Sequence, residues 1–281
     1  MATNAAENPN TKAEDYLRKA SQAESSGARA KYATRGLAKV GTDRTLKAML
    51  LRQLYLSHME SERFERASEV AREAVELGVM PDVACQDLAR AYLGLGRQRE
   101  AVDELRRASR LGPASRRSFH LWTLGSLQYF GGDPAAAVVA FERALRWGTT
   151  ARPLYAAQLH LARRQLPASG AGASAERAVS REAREAEEAA GKELEALRQA
   201  LEAAPSGQGY GRLILGELAH AAGERTSARE YLEEFVKRTL AGRLALRVGL
   251  RAELERARAL LVLLDAEPSS DVPPGKAEVK G

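Results

Sequence analysis

The sequence predicts an all-α chain, a solenoid of about 4–6 antiparallel helix pairs closed by a C-terminal capping helix. Three observations carry this. Of the 281 residues, 44% are hydrophobic but only 5% are aromatic, so the apolar content is mostly alanine and leucine, both strong helix formers. Segments recur every 34–36 residues, as stacked supersecondary units do. Within each unit a polar or glycine-bearing turn separates two stretches of helical periodicity.

Taken in order, residues 1–12 are polar and expected to be disordered. Residues 13–47 read as a degenerate helix pair that caps the N-terminal end. The array proper spans 48–242. Its first two copies, 54–75 and 88–109, align without a gap; a third follows at 124–145 and a fourth clean copy at 215–236. In the second copy Leu88 and Tyr92, then Ala101, Leu105 and Ala108, fall at helical spacing on two faces. Gly96 sits between them, where a turn needs free access to positive φ. Gly132-Asp133-Pro134 serves the same purpose in the third copy, with Pro134 tolerated in the first turn of the next helix. Ala67, Ala101, Ala137 and Ala228 recur early in the second helices, and Ala74, Ala108, Ala144 and Ala200 recur later, where a larger side chain would push two helices apart.

This pattern resembles the tetratricopeptide repeat, whose signature runs Leu-Gly/Ala, Tyr, Gly, Ala, Phe/Tyr, Ala-Leu and often Pro. The second copy presents Leu88-Ala89, Tyr92, Gly96, Ala101, Ala108 and Pro113; the third presents Leu124-Gly125, Gly132-Asp133, Ala137, Phe141 and Ala144-Leu145. The resemblance covers roughly residues 48–242 and implies a right-handed superhelix of helix pairs. It departs from the family in the fourth unit, where a small-residue insertion at 167–192 precedes a helix carrying Leu197, Ala200-Leu201 and Pro205. Phe235 replaces the usual alanine in the last unit, which predicts packing against a C-terminal helix at 243–264 that covers the open end of the stack. The tail 265–281 is expected to be disordered.

In this family the first helices of the pairs line a concave groove. By alignment, the resemblance assigns partner binding here to Arg52, Arg90, Phe119, Trp122, Tyr129, Phe130, His160, Arg163 and Arg164. Aromatic and arginine side chains are those that most often dominate interface energetics. An apolar floor with basic walls suits a protein or peptide segment with apolar anchors and acidic flanks. Some family members clamp a terminal carboxylate; the corresponding places here hold Arg52, Leu56, Asp87, Phe119 and Thr123, and Asp87 would repel that group.

Nothing in the sequence supplies chemistry. His58, His120, His160 and His220 lie in separate units without a second metal ligand nearby, and no cofactor motif is present. Gly207–Gly211 follows a helix and Pro205, so it reads as an inter-repeat turn and not as a phosphate loop. The single cysteine, Cys85, excludes an intramolecular disulfide and occupies a core position. The net charge of +6 is spread over arginines that alternate with glutamates, which argues against nucleic acid as the partner. No apolar run approaches the roughly 20 residues of a membrane span, and no secretory leader precedes the array, so a cytoplasmic location is expected. The leading function is a non-enzymatic scaffold or adaptor. A chaperone or regulator that masks a hydrophobic segment is the alternative, a nucleic-acid-binding repeat is a more distant one, and self-association stays open.

Overall fold

The computed structural model describes residues 10–148, 151–166, 181–242 and 244–266. They form fourteen α-helices, and no strand occurs among them. The helices are α1 (Thr11–Ser21), α2 (Ser26–Leu37), α3 (Arg44–Glu60), α4 (Phe64–Leu77), α5 (Pro81–Gly94), α6 (Gln98–Leu111) and α7 (Ala114–Phe130). They continue as α8 (Pro134–Trp147), α9 (Arg152–Arg164), α10 (Arg181–Ala203), α11 (Gly211–Ala221), α12 (Arg225–Ala241), α13 (Leu244–Gly249) and α14 (Arg251–Ala266). From α1 to α9 each helix packs on the one before it, which makes the array a solenoid of antiparallel pairs. Thr11 and Lys12, read from sequence as part of a disordered start, form the first turn of α1. Of the insertion expected at 167–192, residues 167–180 lie outside the described residues, and 181–192 belong to α10. Most of the tail expected to be disordered, 267–281, also lies outside them.

Capping follows from local sequence. Asp43 and Asp133 accept hydrogen bonds from the backbone N–H groups of Leu46 and Ala136, at 2.9 and 3.0 Å, satisfying donors that the first turn leaves free. Pro81 and Pro134 open α5 and α8, where no N–H is needed. The intra-pair turns place one residue in the left-handed region: Gly96 at φ 72°, Gly132 at 81° and Gly223 at 79°. The α3–α4 pair uses Glu62 at φ 52°, a conformation that costs a residue with a Cβ about 1–2 kcal/mol.

Small residues set the helix–helix distance. Ala67, Ala101, Ala137 and Ala228 are fully buried. Gly125 lies against the fully buried ring of Phe141, and a Cβ there would come within 2.7 Å of two ring carbons. Gly125→Ala is therefore expected to destabilise the chain by about 1–2 kcal/mol, overpacking outweighing the ~1 kcal/mol gain in helix propensity. Gly191→Ala, on an exposed stretch of α10 with no atom near the new methyl, should change sign and stabilise by up to ~1 kcal/mol. Denaturation midpoints of the two variants test this; a stabilised Gly125→Ala would refute the packing account.

The signature on α10 is one residue out of register with the sequence reading. Ala200 is exposed, while Leu194 and Leu201 are buried. The buried spacing Ala137, Phe141, Ala144 of α8 maps onto Leu194, Arg198 and Leu201, so Arg198 stands where the other pairs place a large apolar side chain. Arg198 is only 19% exposed and pairs with Glu224 and, at 2.8 Å, with Glu195. The helix rotates to bury leucines, which yield more from burial than an alanine does.

The last two helices do more than close the stack. Leu254, Ala257, Leu260 and Leu264 of α14 are buried, and α14 packs on α12, beside the fully buried Phe235. Its N-terminal end instead reaches α7, and α13 reaches α3 and α5. The chain breaks at Gly249, where no side chain hinders the change of direction, and the segment turns onto the first helices of three pairs.

Candidate functional site

The first helices α5 and α7, the start of α11 and the 248–255 stretch enclose a cavity of about 300 Å³. Its walls are mainly apolar. Ala89 and Leu93 come from α5, Trp122, Leu127 and Phe130 from α7, and Val248 and Leu250 from the C-terminal segment. Arg90, Gln98, Ser126, Tyr210, Arg251 and Glu253 are among the polar groups that line it. A concave apolar site with a few convergent polar groups is the usual form of a binding site.

Trp122 is held from three sides. Its Nε1–H donates to Gln158 Oε1, its ring stacks on Tyr155 at 6.1 Å, and Tyr210 meets it edge-on at 5.0 Å. Tyr210 in turn lies 6.3 Å from Phe235, so an aromatic chain runs from the groove into the end of the array. The Tyr210 hydroxyl is buried, near Ser126, Gln158 and Glu253. Burial first, and then the nearby Glu253, push its pKa well up, so it remains a donor. Burial also lifts the Glu253 carboxyl to about 7, against the opposing pull of its own backbone N–H, Arg90 and Tyr210.

Of the nine residues assigned from sequence, Arg90, Trp122 and Phe130 line this cavity. Phe119 stands outside it, 38% exposed, with its ring 5.5 Å from Trp122. Arg52 is engaged with Asp87, Nε to Oδ2 at 3.3 Å; Asp87 is buried, which raises its pKa against the pull of Arg52 and Arg90. Tyr129 departs most from the sequence reading. It is buried, donating to Glu217 Oε2 of α11 at 2.8 Å and accepting from Gln165 Nε2 at 3.0 Å. His160 turns toward α10, with Nδ1 3.8 Å from Glu193 Oε1, and burial lowers its pKa. Arg163 pairs with Glu142 of α8 at 2.8 Å, and Arg164 is exposed beside it; neither lines the cavity. These two therefore form no basic wall here; the arginines that line this stretch of the groove are Arg90 and Arg251.

Sequence reasoning missed the contribution of Val248, Leu250 and Glu253. A signal existed: Val248 lies off the Leu254, Ala257, Leu260, Leu264 stripe, and Gly249 interrupts the periodicity between them. Cys85 is buried, and burial, with Glu104 beside it, pushes its thiol up to about 12, so it is no nucleophile at neutral pH. No group of three or more His, Cys, Asp or Glu side chains suited to a metal ion occurs among the described residues. No helix among them is long and apolar enough to cross a membrane.

A family model described as the tetratricopeptide repeat matches residues 83–114, which cover α5, α6 and the turn into α7. No curated protein matches the chain. Among solved structures, PilF of Pseudomonas aeruginosa is 18% identical with a TM-score of 0.52, over 90% of this chain and 99% of that one. A tetratricopeptide repeat protein from Parabacteroides merdae is 13% identical with a TM-score of 0.53, over 92% and 97%. The apo form of RapI is 14% identical with a TM-score of 0.53 over 83% of this chain, which spans only 64% of the RapI chain. At such identities the likeness concerns the fold.

Proposed function

We propose, from the premise that this chain belongs to the tetratricopeptide-repeat family, that it is a non-enzymatic adaptor. It binds a segment of another protein in the concave groove, through Arg90, Trp122, Phe130 and Tyr210. One observation carries the reading: the cavity of about 300 Å³ that α5, α7 and α11 share is apolar, yet it holds Arg90 and a buried Tyr210 hydroxyl. Apolar walls supply affinity, and the polar groups among them supply orientation. A preformed superhelix binds without ordering itself first, so little of the contact energy is lost to entropy.

Arg90→Glu combined with Phe130→Ala tests this, since both side chains line the cavity while Trp122 also anchors Gln158. The wild-type chain should capture a protein partner from its native lysate. The double variant, folded by circular dichroism, should bind that partner at least tenfold more weakly, as expected when hot-spot groups are removed. Equal capture by both chains would place binding outside the groove and overturn the reading.

A further inference from the structure

The groove already contains a helical segment of its own chain. α13 lies against α3 and α5, and the start of α14 lies against α7. Val248 packs on the core cluster that includes Tyr55, Leu88 and Tyr92. Leu250 packs on the neighbouring cluster with Trp122 and Tyr210, and Glu253 is set beside Arg90 and Tyr210. Arg251 reaches across to Glu62, 3.7 Å away, at the α3–α4 turn.

The seating is incomplete. The segment leaves about 300 Å³ open between itself and the α5 and α7 walls, whereas protein interiors are close-packed. Val248 and Leu250 are only half-buried, and Leu246 is 48% exposed. By contrast the next residues, from Leu254 to Leu264, bury a full stripe on α12. The weakly packed stretch is thus bounded by two well-packed helices, α12 before it and α14 after it.

We infer that residues 244–253 form a displaceable strap occupying the partner's place. On this inference the groove's ligand is an amphipathic helix presenting Val- or Leu-type anchors to the cavity and a carboxylate to Arg90 and Tyr210. The inference rests on the groove reading above and gives it a ligand chemistry. A strap tethered at both ends acts at an effective concentration on the order of millimolar. Even with an intrinsic dissociation constant of about 30 µM it weakens a competing helix roughly thirtyfold.

The probe is a fluorescent synthetic peptide with the sequence of residues 244–258, titrated against the full chain. Val248→Asp should loosen the strap, seen as faster hydrogen exchange over 246–253 with α12 and 254–264 still protected; Val248→Asp with Leu250→Asp serves if one charge does not suffice. The loosened chain should bind the peptide at least tenfold more tightly than wild type. A peptide with lysine at the Glu253 place should lose that gain. The inference is overturned if the loosened chain binds no better, or if 246–253 in wild type exchanges as slowly as α11. Because the peptide is the chain's own, these outcomes are independent of partner capture, which judges the adaptor reading by itself.

Discussion

Replacing Glu217 by alanine is expected to destabilise the C-terminal half of the array by about 3 kcal/mol, the larger share from leaving buried partners unpaired. Glu217 is 3% exposed on α11. One of its carboxylate oxygens accepts from the Tyr129 hydroxyl of α7 at 2.8 Å, and the other accepts from Arg256 Nε of α14 at 2.8 Å. Gln165, just past α9, completes the set by donating to Tyr129. Three helices distant in sequence, α7, α11 and α14, therefore meet on one carboxylate, and Gln165 joins them through Tyr129. Without it Arg256, 41% exposed, can still reach water, but the buried Tyr129 hydroxyl keeps a donor with no acceptor. Burial, and then Glu217, raise the Tyr129 pKa, so that hydroxyl cannot escape by ionising. Chemical denaturation and hydrogen exchange of α14 check the effect. Tyr129→Phe, which removes the hydroxyl and leaves Glu217 paired with Arg256, should cost only about 1 kcal/mol. If Glu217→Ala costs no more than Tyr129→Phe, the carboxylate is not the hub.

Asp82→Ala should cost about 3 kcal/mol at neutral pH, and the cost should shrink in acid. Asp82, 1% exposed in the first turn of α5, takes both Nε and Nη2 of Arg116, at 2.7 and 3.0 Å, and pairs with His120 Nε2 at 3.0 Å, both on α7. Burial alone would raise its pKa, but the hydrogen bonds from Arg116 and His120 prevail and hold the carboxyl at about 2, below the usual 3.8. A depressed value means that the folded chain takes up this proton less readily than the unfolded one. The contribution is therefore full above pH 3.8 and is lost as pH falls toward 2, by about 2 kcal/mol. Wild type should lose stability across that window by about this much more than Asp82→Asn. Parallel acid profiles for the two chains would remove the ion pair from the account. Both sites sit at helix junctions, where repeat arrays are coupled only through neighbouring interfaces, so local hydrogen exchange is a sharper readout than a single global midpoint.

The helix pairs were legible because their causes are local and periodic. Alanine at Ala101, Ala137 and Ala228 and glycine at Gly125 permit close helix approach, and Gly96 and Gly132 permit the turns; each leaves its mark within one repeat. The candidate site was legible only in part. Arg90, Trp122 and Phe130 were found because alignment places them on first helices, and first helices line the cavity. Tyr129 occupies the same kind of position and is buried, because Glu217, 88 residues on, is brought over it by α11. Arg163 and Arg164 were expected in the groove wall, but Arg163 meets Glu142 on α8 and neither lines the cavity. The course of residues 244–253 was not legible either, since an apolar helix after a last repeat can cover the end of the stack or turn inward with nearly the same composition.

What the sequence by itself determined is the repeated unit: helix lengths, turn positions and the small residues at the crossings, all set by propensity, capping and sterics over a few residues. What only the tertiary structure decided is which faces of those helices remain available. That depends on burial summed over distant segments. Leu194 and Leu201 set the rotation of α10, Glu217 covers Tyr129, and the 248–253 stretch lies in the groove between α5 and α7, because each element settles where the most apolar surface leaves water and the fewest polar groups are left unpaired.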